Sequence, residues 1–228
     1  MSAHHARVEL VLPCLDEARA LPRVLGSLPA DMRALVVDNG SEDGSPEVAR
    51  ALGARVVGES QRGYGAACHR GLREAEAPLV AFCDADGTID LGVLTQMADL
   101  VQAGWADLVM GRRVAPPGTW PWHARVANAA LSLPMSLAAR SRLHGLGPVR
   151  LAPRERLLDL GLRDRRSGYP LETVLRAAAA GWTVREIDVD YFPRIGRSKV
   201  TGTVRGTATA INDMSGLLWR SRLGRRAL

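Results

Sequence analysis

Aromatic residues are scarce: Trp, Tyr and Phe together make up 4% of the 228 residues. That leaves no obvious stacking platform of the kind single-stranded nucleic acid needs. Zinc-finger spacing, an RNP-like aromatic motif and a basic heptad region are missing as well, which argues against nucleic acid as the partner. The three cysteines, Cys14, Cys68 and Cys83, are odd in number, widely spaced and form no Cys-x-x-Cys pair. They point to reduced thiols in a cytoplasmic setting and away from a structural zinc site. No uninterrupted apolar run reaches the roughly 18 residues of a membrane-spanning helix, and Met1 to Arg7 hold no apolar signal-peptide segment. Lysine is almost absent: Lys199 is the single lysine among 30 basic residues.

What is present suits one sizeable core, because 46% of the residues are apolar and disorder is thereby excluded. No internal repeat or low-complexity linker divides residues 1–228, so a single domain is expected. The net charge of +6 is unevenly spread. Residues 1–110 carry 9 basic and 16 acidic side chains, and residues 111–228 carry 21 and 8. Such asymmetry points to a second half that meets polyanions, phosphates or an anionic surface.

Short apolar runs alternate with helical patterns through the first half. Strands are expected at 8–12 (stopped by Pro13), 34–37, 55–57, 79–83 and 107–110. Helices are expected from Asp16-Glu17, from an N-cap at Ser45 to Leu52, from Ala66 to Ala75 and from Leu91 to Ala103. This rhythm indicates an α/β chain with a doubly wound, mostly parallel sheet. Ligands in such sheets lie beyond the C-terminal strand ends, which brings the acidic loops at Asp16-Glu17, Asp38 and Asp84-Ala85-Asp86 to one edge. In the second half, helices are expected at His123–Ala139 (interrupted by Pro134), Leu151–Leu160, Tyr169–Ala180 and Thr203–Trp219. A strand is expected at Thr183–Val189, followed by a basic loop over 190–200.

Asp84 and Asp86 are the chemical focus. On an extended segment alternate residues point the same way, so the two carboxylates can converge at the strand end. Like charges that close repel unless a cation joins them, and hard oxygens suit Mg²⁺ or Mn²⁺. A solvated Asp-Ala-Asp-Gly turn is the plain alternative. Gly63-x-Gly65 opening a helix serves either a phosphate or close packing. It is a poor dinucleotide fingerprint, since its third glycine is missing and it follows the third strand.

Together these residues carry a resemblance. Val11-Leu-Pro-Cys-Leu-Asp-Glu17, Val36-Val-Asp-Asn-Gly-Ser-Glu-Asp-Gly-Ser45, Arg62-Gly-Tyr-Gly-Ala-Ala67 and Asp84-Ala-Asp-Gly87 resemble family 2 glycosyltransferases. Asp107-Leu-Val-Met-Gly-Arg-Arg113 and Arg194-Ile-Gly-Arg-Ser-Lys199 narrow the resemblance to the dolichyl-phosphate mannosyltransferase-like branch. The resemblance covers about residues 8–205. It implies the GT-A nucleotide-diphospho-sugar transferase fold and an inverting, metal-dependent transfer of a hexose from a UDP- or GDP-sugar.

By the resemblance, Pro13, Asp16 and Glu17 line the nucleotide pocket, with Asp16 standing where Asn is common. Asp38 accepts hydrogen bonds from the base, with Asn39 and Gly40 shaping the loop, while Gly63 and Gly65 border the donor. Asp84 and Asp86 hold Mg²⁺ or Mn²⁺, with Thr88 where Gln is common and Asp90 as an outer ligand. Arg194, Ser198 and Lys199 face the donor phosphates, where developing charge needs cations; an exposed loop lysine is the alternative for Lys199. Arg113 and Arg125 grip an acceptor phosphate. Glu172 is the general base if the acceptor is a hydroxyl, and an orienting or surface acid if it is already anionic.

The acceptor is expected to be a polyprenyl phosphate, reached at a membrane surface, or else a small soluble molecule. The apolar run 126–139 edged by Arg125, Arg140 and Arg142, and the 203–219 segment followed by four arginines, suit an anionic bilayer. A cytoplasmic enzyme, peripheral at the inner membrane face, follows from that reading. A sugar-phosphate nucleotidyltransferase is the rival enzyme, though it calls for a glycine-rich signature just after the first strand. A nucleic-acid-binding module rests only on the basic second half.

Overall fold

The computed structural model describes residues 6–114 and 122–195. The described residues form one seven-stranded sheet in the order β3-β2-β1-β4-β6-β5-β7. The strands are β1 (Val8–Cys14), β2 (Met32–Asp38), β3 (Arg55–Gly58), β4 (Leu79–Cys83), β5 (Leu108–Val114), β6 (Val149–Pro153) and β7 (Val184–Asp190). Seven helices flank them: α1 (Leu21–Gly26), α2 (Ser45–Ala51), α3 (Tyr64–Glu74), α4 (Val93–Gln102), α5 (Trp122–Ala139), α6 (Arg154–Asp159) and α7 (Tyr169–Ala179).

The apolar runs are continuous because both faces of the sheet are covered. Along β1 and β4 alternate residues divide between two cores. Val8, Leu10, Leu12, Leu79 and Ala81 pack with Leu21, Leu91, Leu94 and Met97 from the α1 and α4 side. Val11, Val80 and Phe82 pack with Leu72, Tyr169, Leu171 and Val174 from the α3 and α7 side.

The chain winds outward from β1 through parallel β2 to β3, then crosses to place β4 parallel on the other side of β1. The switch point therefore lies between β1 and β4, and a crevice opens beyond their C-terminal ends. Past β4 the sheet is mixed: β6 runs antiparallel to both β4 and β5, and β7 returns parallel to β5.

The largest departure from the sequence reading is β6, which occupies the start of the span expected to be helical from Leu151 to Leu160. That span is a strand to Pro153 followed by the short α6. Pro13 does not stop β1, which runs to Cys14. The pairing with β4 ends at Val11, so the proline ring lies where β1 has no neighbour on that side. No helix opens at Asp16, because that residue has φ +51, in the left-handed region, and α1 begins at Leu21. Gly44, with φ +82, takes the N-cap place expected for Ser45. α5 runs through Pro134 as one 18-residue helix. The expected 203–219 helix, Ser198 and Lys199 lie outside the described residues.

Candidate active site

The site is built on three loops leaving β1, β2 and β4. The first two are sewn together. The Asp16 and Glu17 amides donate to the hydroxyls of Ser41 (2.9 Å) and Ser45 (2.8 Å), and the Ala18 amide donates to Asp43 (3.0 Å). In return Asp16 Oδ1 accepts the Glu42 amide at 2.7 Å. Asp16 thus joins two loops, in a backbone conformation that Asn and Asp tolerate better than other side chains. Asn39 is spent in the same way. Its amide nitrogen bonds the carbonyls of Glu59 and Gln61 (2.8 Å each), and its oxygen accepts the Gly63 amide at 2.8 Å. Asp38 closes its own turn, accepting from Gly40 N (3.2 Å) and Ser41 N (3.1 Å).

Gly63 and Gly65 answer to packing. The amides of Gly65 and Ala66 donate to the carbonyls of Arg166 and Arg165, both at 2.9 Å, so these donors at the start of α3 are spent inside the protein. A Cβ on Gly63 would sit 2.2 Å from the Arg165 carbonyl oxygen, and one on Gly65 would meet the same backbone at 2.8 Å. Of the two expectations for this glycine-rich start, close packing is what the contacts favour.

The Asp84-Ala85-Asp86-Gly87 segment is a turn beyond β4, not an extension of the strand. Asp86 folds back so that Oδ1 accepts Thr88 N (3.2 Å) and Thr88 Oγ1 (2.8 Å). Asp84 is half-buried, and among the described residues its carboxylate accepts no hydrogen bond. Burial first, and the neighbouring Asp86 second, push its pKa up from the usual carboxylate value, while Arg113, Arg150 and Arg194 pull the other way. Those guanidinium groups do not offset the burial, and the Asp84 carboxylate, unlike that of Asp86, is left without a hydrogen-bond donor among the described residues, where a cation could take it up. Asp90 only caps its own turn through the Gly92 amide, at 2.9 Å.

Three arginines surround the pair. Arg194 reaches it from the segment after β7, with Nη1 on Asp86 Oδ2 at 3.1 Å and Nη2 on Glu17 Oε1. Arg113, at the end of β5, donates to the Leu146 carbonyl at 2.8 Å and lies over the Tyr191 ring. The sequence reading missed the third, Arg150. It is buried in the middle of β6, directly opposite Phe82, and bonds Tyr64 Oη and the Gly147 carbonyl at 3.2 Å each. Burial opposes its charge, but Tyr64, Cys68 and Asp84 around it hold the guanidinium charged. No signal in the sequence marked it: Arg150 lies just ahead of the span expected to be helical from Leu151, and nothing in the pattern pointed to a strand there.

Other expected residues lie apart from this centre. Arg125 is exposed on α5, and no described contact ties it to the carboxylates. Arg112 pairs with Asp188 and touches His144 at 3.3 Å. Glu172, in the first turn of α7, is buried at 5% exposure. Its Oε2 accepts the Arg163 and Asp164 amides at 2.9 and 2.7 Å, and its Oε1 accepts Arg176 Nε at 2.7 Å.

The comparisons with known proteins agree with this arrangement. The sequence profile described as Glycosyl transferase family 2 matches residues 9–149. An uncharacterized glycosyltransferase of Mycobacterium tuberculosis is 51% identical over 208 residues, 90% of this chain and 95% of that protein. The dolichyl-phosphate hexose transferase of Haloferax volcanii is 30% identical over 204 residues, 87% of this chain and 89% of that protein. Among solved structures, glucosyl-3-phosphoglycerate synthase of M. tuberculosis, crystallised with Mn²⁺, uridine diphosphate and glucosyl-3-phosphoglycerate, superposes with a TM-score of 0.74. It is 21% identical, and the match covers 95% of this chain and 80% of that one. Mannosyl-3-phosphoglycerate synthase of Rubrobacter xylanophilus gives a TM-score of 0.75 at 20% identity, covering 97% and 75%. With its profile, its relatives and its sheet in accord, the chain belongs to glycosyl transferase family 2 and has the GT-A fold.

Proposed function

We propose that the protein transfers a hexose from a nucleoside-diphosphate sugar to a phosphate-bearing acceptor, with inversion, using Mg²⁺ or Mn²⁺ held by Asp84 and Asp86. The observation that carries the reading is the geometry of the β4 turn: Asp84 and Asp86 lie side by side, little exposed, next to the β1 and β2 loops, and the Asp84 carboxylate accepts no hydrogen bond among the described residues. Among the described residues no third His, Cys, Asp or Glu joins the pair. That suits a hard cation that takes the rest of its shell from water and substrate phosphates. Such an ion would neutralise the diphosphate as it leaves. The chain's own groups do the rest. The Asp38 turn and the Glu17 loop receive the nucleotide, Arg194 meets its phosphates with Lys199 and Ser198, and Arg113 orients the acceptor anion.

An acceptor that is already anionic needs no strong base. Glu172, with both oxygens spent on the 163–164 amides and Arg176, then serves as a positioning residue for that loop. A small soluble phosphate ester is the acceptor best supported, since the structural neighbours are named as makers of hexosyl-phosphoglycerates. Polyprenyl phosphate is a second reading. It is favoured by the Haloferax relative's name and by an exposed apolar row on α5, Val126, Leu133 and Leu137 at 61, 67 and 68%. Among the described residues no helix is long and apolar enough to cross a membrane.

The test is a thermal-shift screen of UDP and GDP with Mn²⁺, followed by transfer assays from the matching hexose donors to phosphoglycerate and to polyprenyl phosphate. Mn²⁺-dependent binding of one nucleotide, and transfer to one acceptor, is expected. Binding without metal dependence, or hydrolysis of the donor with no acceptor able to intercept it, would refute the reading.

A further inference from the structure

The segment that follows β7 is tied onto the carboxylate turn. Phe192 N donates to the Thr88 carbonyl at 2.9 Å, and Ile195 N donates to the Asp86 carbonyl at 3.1 Å. Ile89 and Tyr191 form an antiparallel bridge, and the Arg23 guanidinium lies 4.9 Å over the Phe192 ring. A Cβ on Gly87 would come within 3.1 Å of the Ile195 side chain. Held at this point, Arg194 spans two well-buried carboxylates at once, Glu17 from the β1 loop and Asp86 from the β4 turn.

One guanidinium thus lies on the carboxylate that the proposed metal needs. Asp86 Oδ1 already carries two donors from Thr88, and Arg194 takes Oδ2. A divalent ion placed on Oδ2 would stand beside the guanidinium, and like charges a few ångströms apart in a poorly hydrated cleft repel strongly. A diphosphate reverses the balance, because it gives the planar guanidinium a bidentate anionic partner in exchange for Asp86.

We propose that Arg194 is a resident cation of the resting site, clasped between Glu17 and Asp86, that opposes metal on its own and is drawn off only when metal and nucleoside diphosphate arrive together. This rests on the metal reading given above and adds to it an order of binding. The metal is weakly held by the free protein, tightly held with nucleotide, and Arg194 carries part of that coupling. By linkage, nucleotide binding gains from metal by the same factor.

The experiment measures Mn²⁺ affinity from the electron paramagnetic resonance signal of the free ion, with no turnover involved. It compares wild type, Arg194→Gln and Arg194→Lys, each alone and with UDP or GDP. Expected for Arg194→Gln is Mn²⁺ binding in the absence of nucleotide tighter by about tenfold, the order of one screened unit charge at close range. The gain in affinity on adding nucleotide should shrink by a similar factor. Arg194→Lys keeps the charge and should stay close to wild type. Folding of each variant is checked by its circular dichroism and melting transition. Unchanged or weaker Mn²⁺ binding by folded Arg194→Gln would overturn the clasp while leaving the metal site standing. Failure of wild type and both variants to bind Mn²⁺, even with either nucleotide, would overturn the metal reading and the clasp together.

Discussion

Replacing Glu172 by Gln separates two roles that the residue could play. Its carboxylate is 5% exposed and accepts three hydrogen bonds, two from the Arg163 and Asp164 amides and one from the Arg176 guanidinium. Glutamine keeps one acceptor oxygen but presents an NH₂ group to a donor, so one or two bonds to a charged group are lost. At about 1.5–3 kcal/mol each, with the Arg176 charge left half-paired, a destabilisation of about 2–4 kcal/mol is expected. For a chain of this size that lowers the melting temperature by about 4–16 °C. Activity measured well below the melt should change by less than about tenfold, because the loop survives and no proton passes through this group. Loss of a general base would instead cost about 10²–10⁴ in kcat. The assay is therefore paired: a calorimetric melt and steady-state kinetics on the same preparation. A hundredfold fall in kcat with an unshifted melt would refute the positioning role.

Further outcomes follow from other contacts. Asp86→Asn should abolish transfer and Mn²⁺-dependent nucleoside-diphosphate binding in a protein that still folds, with the loss of the charged Arg194 bond costing about 1.5–3 kcal/mol and lowering the melt by about 3–12 °C; undiminished turnover would remove Asp86 from the metal site. Gly65→Ala pushes a methyl group against the 164–166 backbone and should lower stability by about 1–3 kcal/mol, read as a lower urea midpoint at constant slope. Burial pushes the Cys14 thiol up to about 11 and the Cys68 thiol up to about 12. Their stabilising contribution is complete below the unfolded thiol value, and each begins to be lost as pH climbs above it toward the folded value. Urea unfolding should therefore show stability falling between pH 9 and 11 by about 1.4 kcal/mol per pH unit per thiol, and Cys68→Ala should flatten that fall. Lys199→Ala should reduce transition-state stabilisation by about 2–4 kcal/mol, seen in kcat with saturating donor.

The first five strands and the acidic edge were legible because a parallel sheet covered on both faces writes itself as short apolar runs spaced by helices. The carboxylate pair was legible because two acids one residue apart after such a run are unusual where charge must be kept out of the core. Strand β6 was hidden for the converse reason. Its Arg150 is buried opposite Phe82 and its Pro153 ends the strand, and both residue types argue against an interior strand. Only the fold, by setting Tyr64 and Asp84 nearby, makes the arginine tolerable there. The resemblance assigns Asp16 to the nucleotide pocket and Asn39 to shaping its loop, and neither assignment says which partners the side chains take. Their side chains hold loops to one another, which depends on contacts 20 or more residues away in sequence.

The stitching between the β1 and β2 loops also bears on how this side of the cleft breathes. Backbone amides of Asp16, Glu17, Ala18 and Glu42 are all capped by side chains of the opposite loop. Neither loop can lift without releasing the other's donors to water, so the four amides share a single opening event. In hydrogen–deuterium exchange they should lose protection at a common rate and respond as a block when any one of Ser41, Asp43 or Ser45 is replaced by alanine. The wall proposed to receive the nucleotide then behaves as one stiff plate, and the give needed to admit a ligand must come from the opposite wall, where the segment after β7 is held by a few bonds to the carboxylate turn.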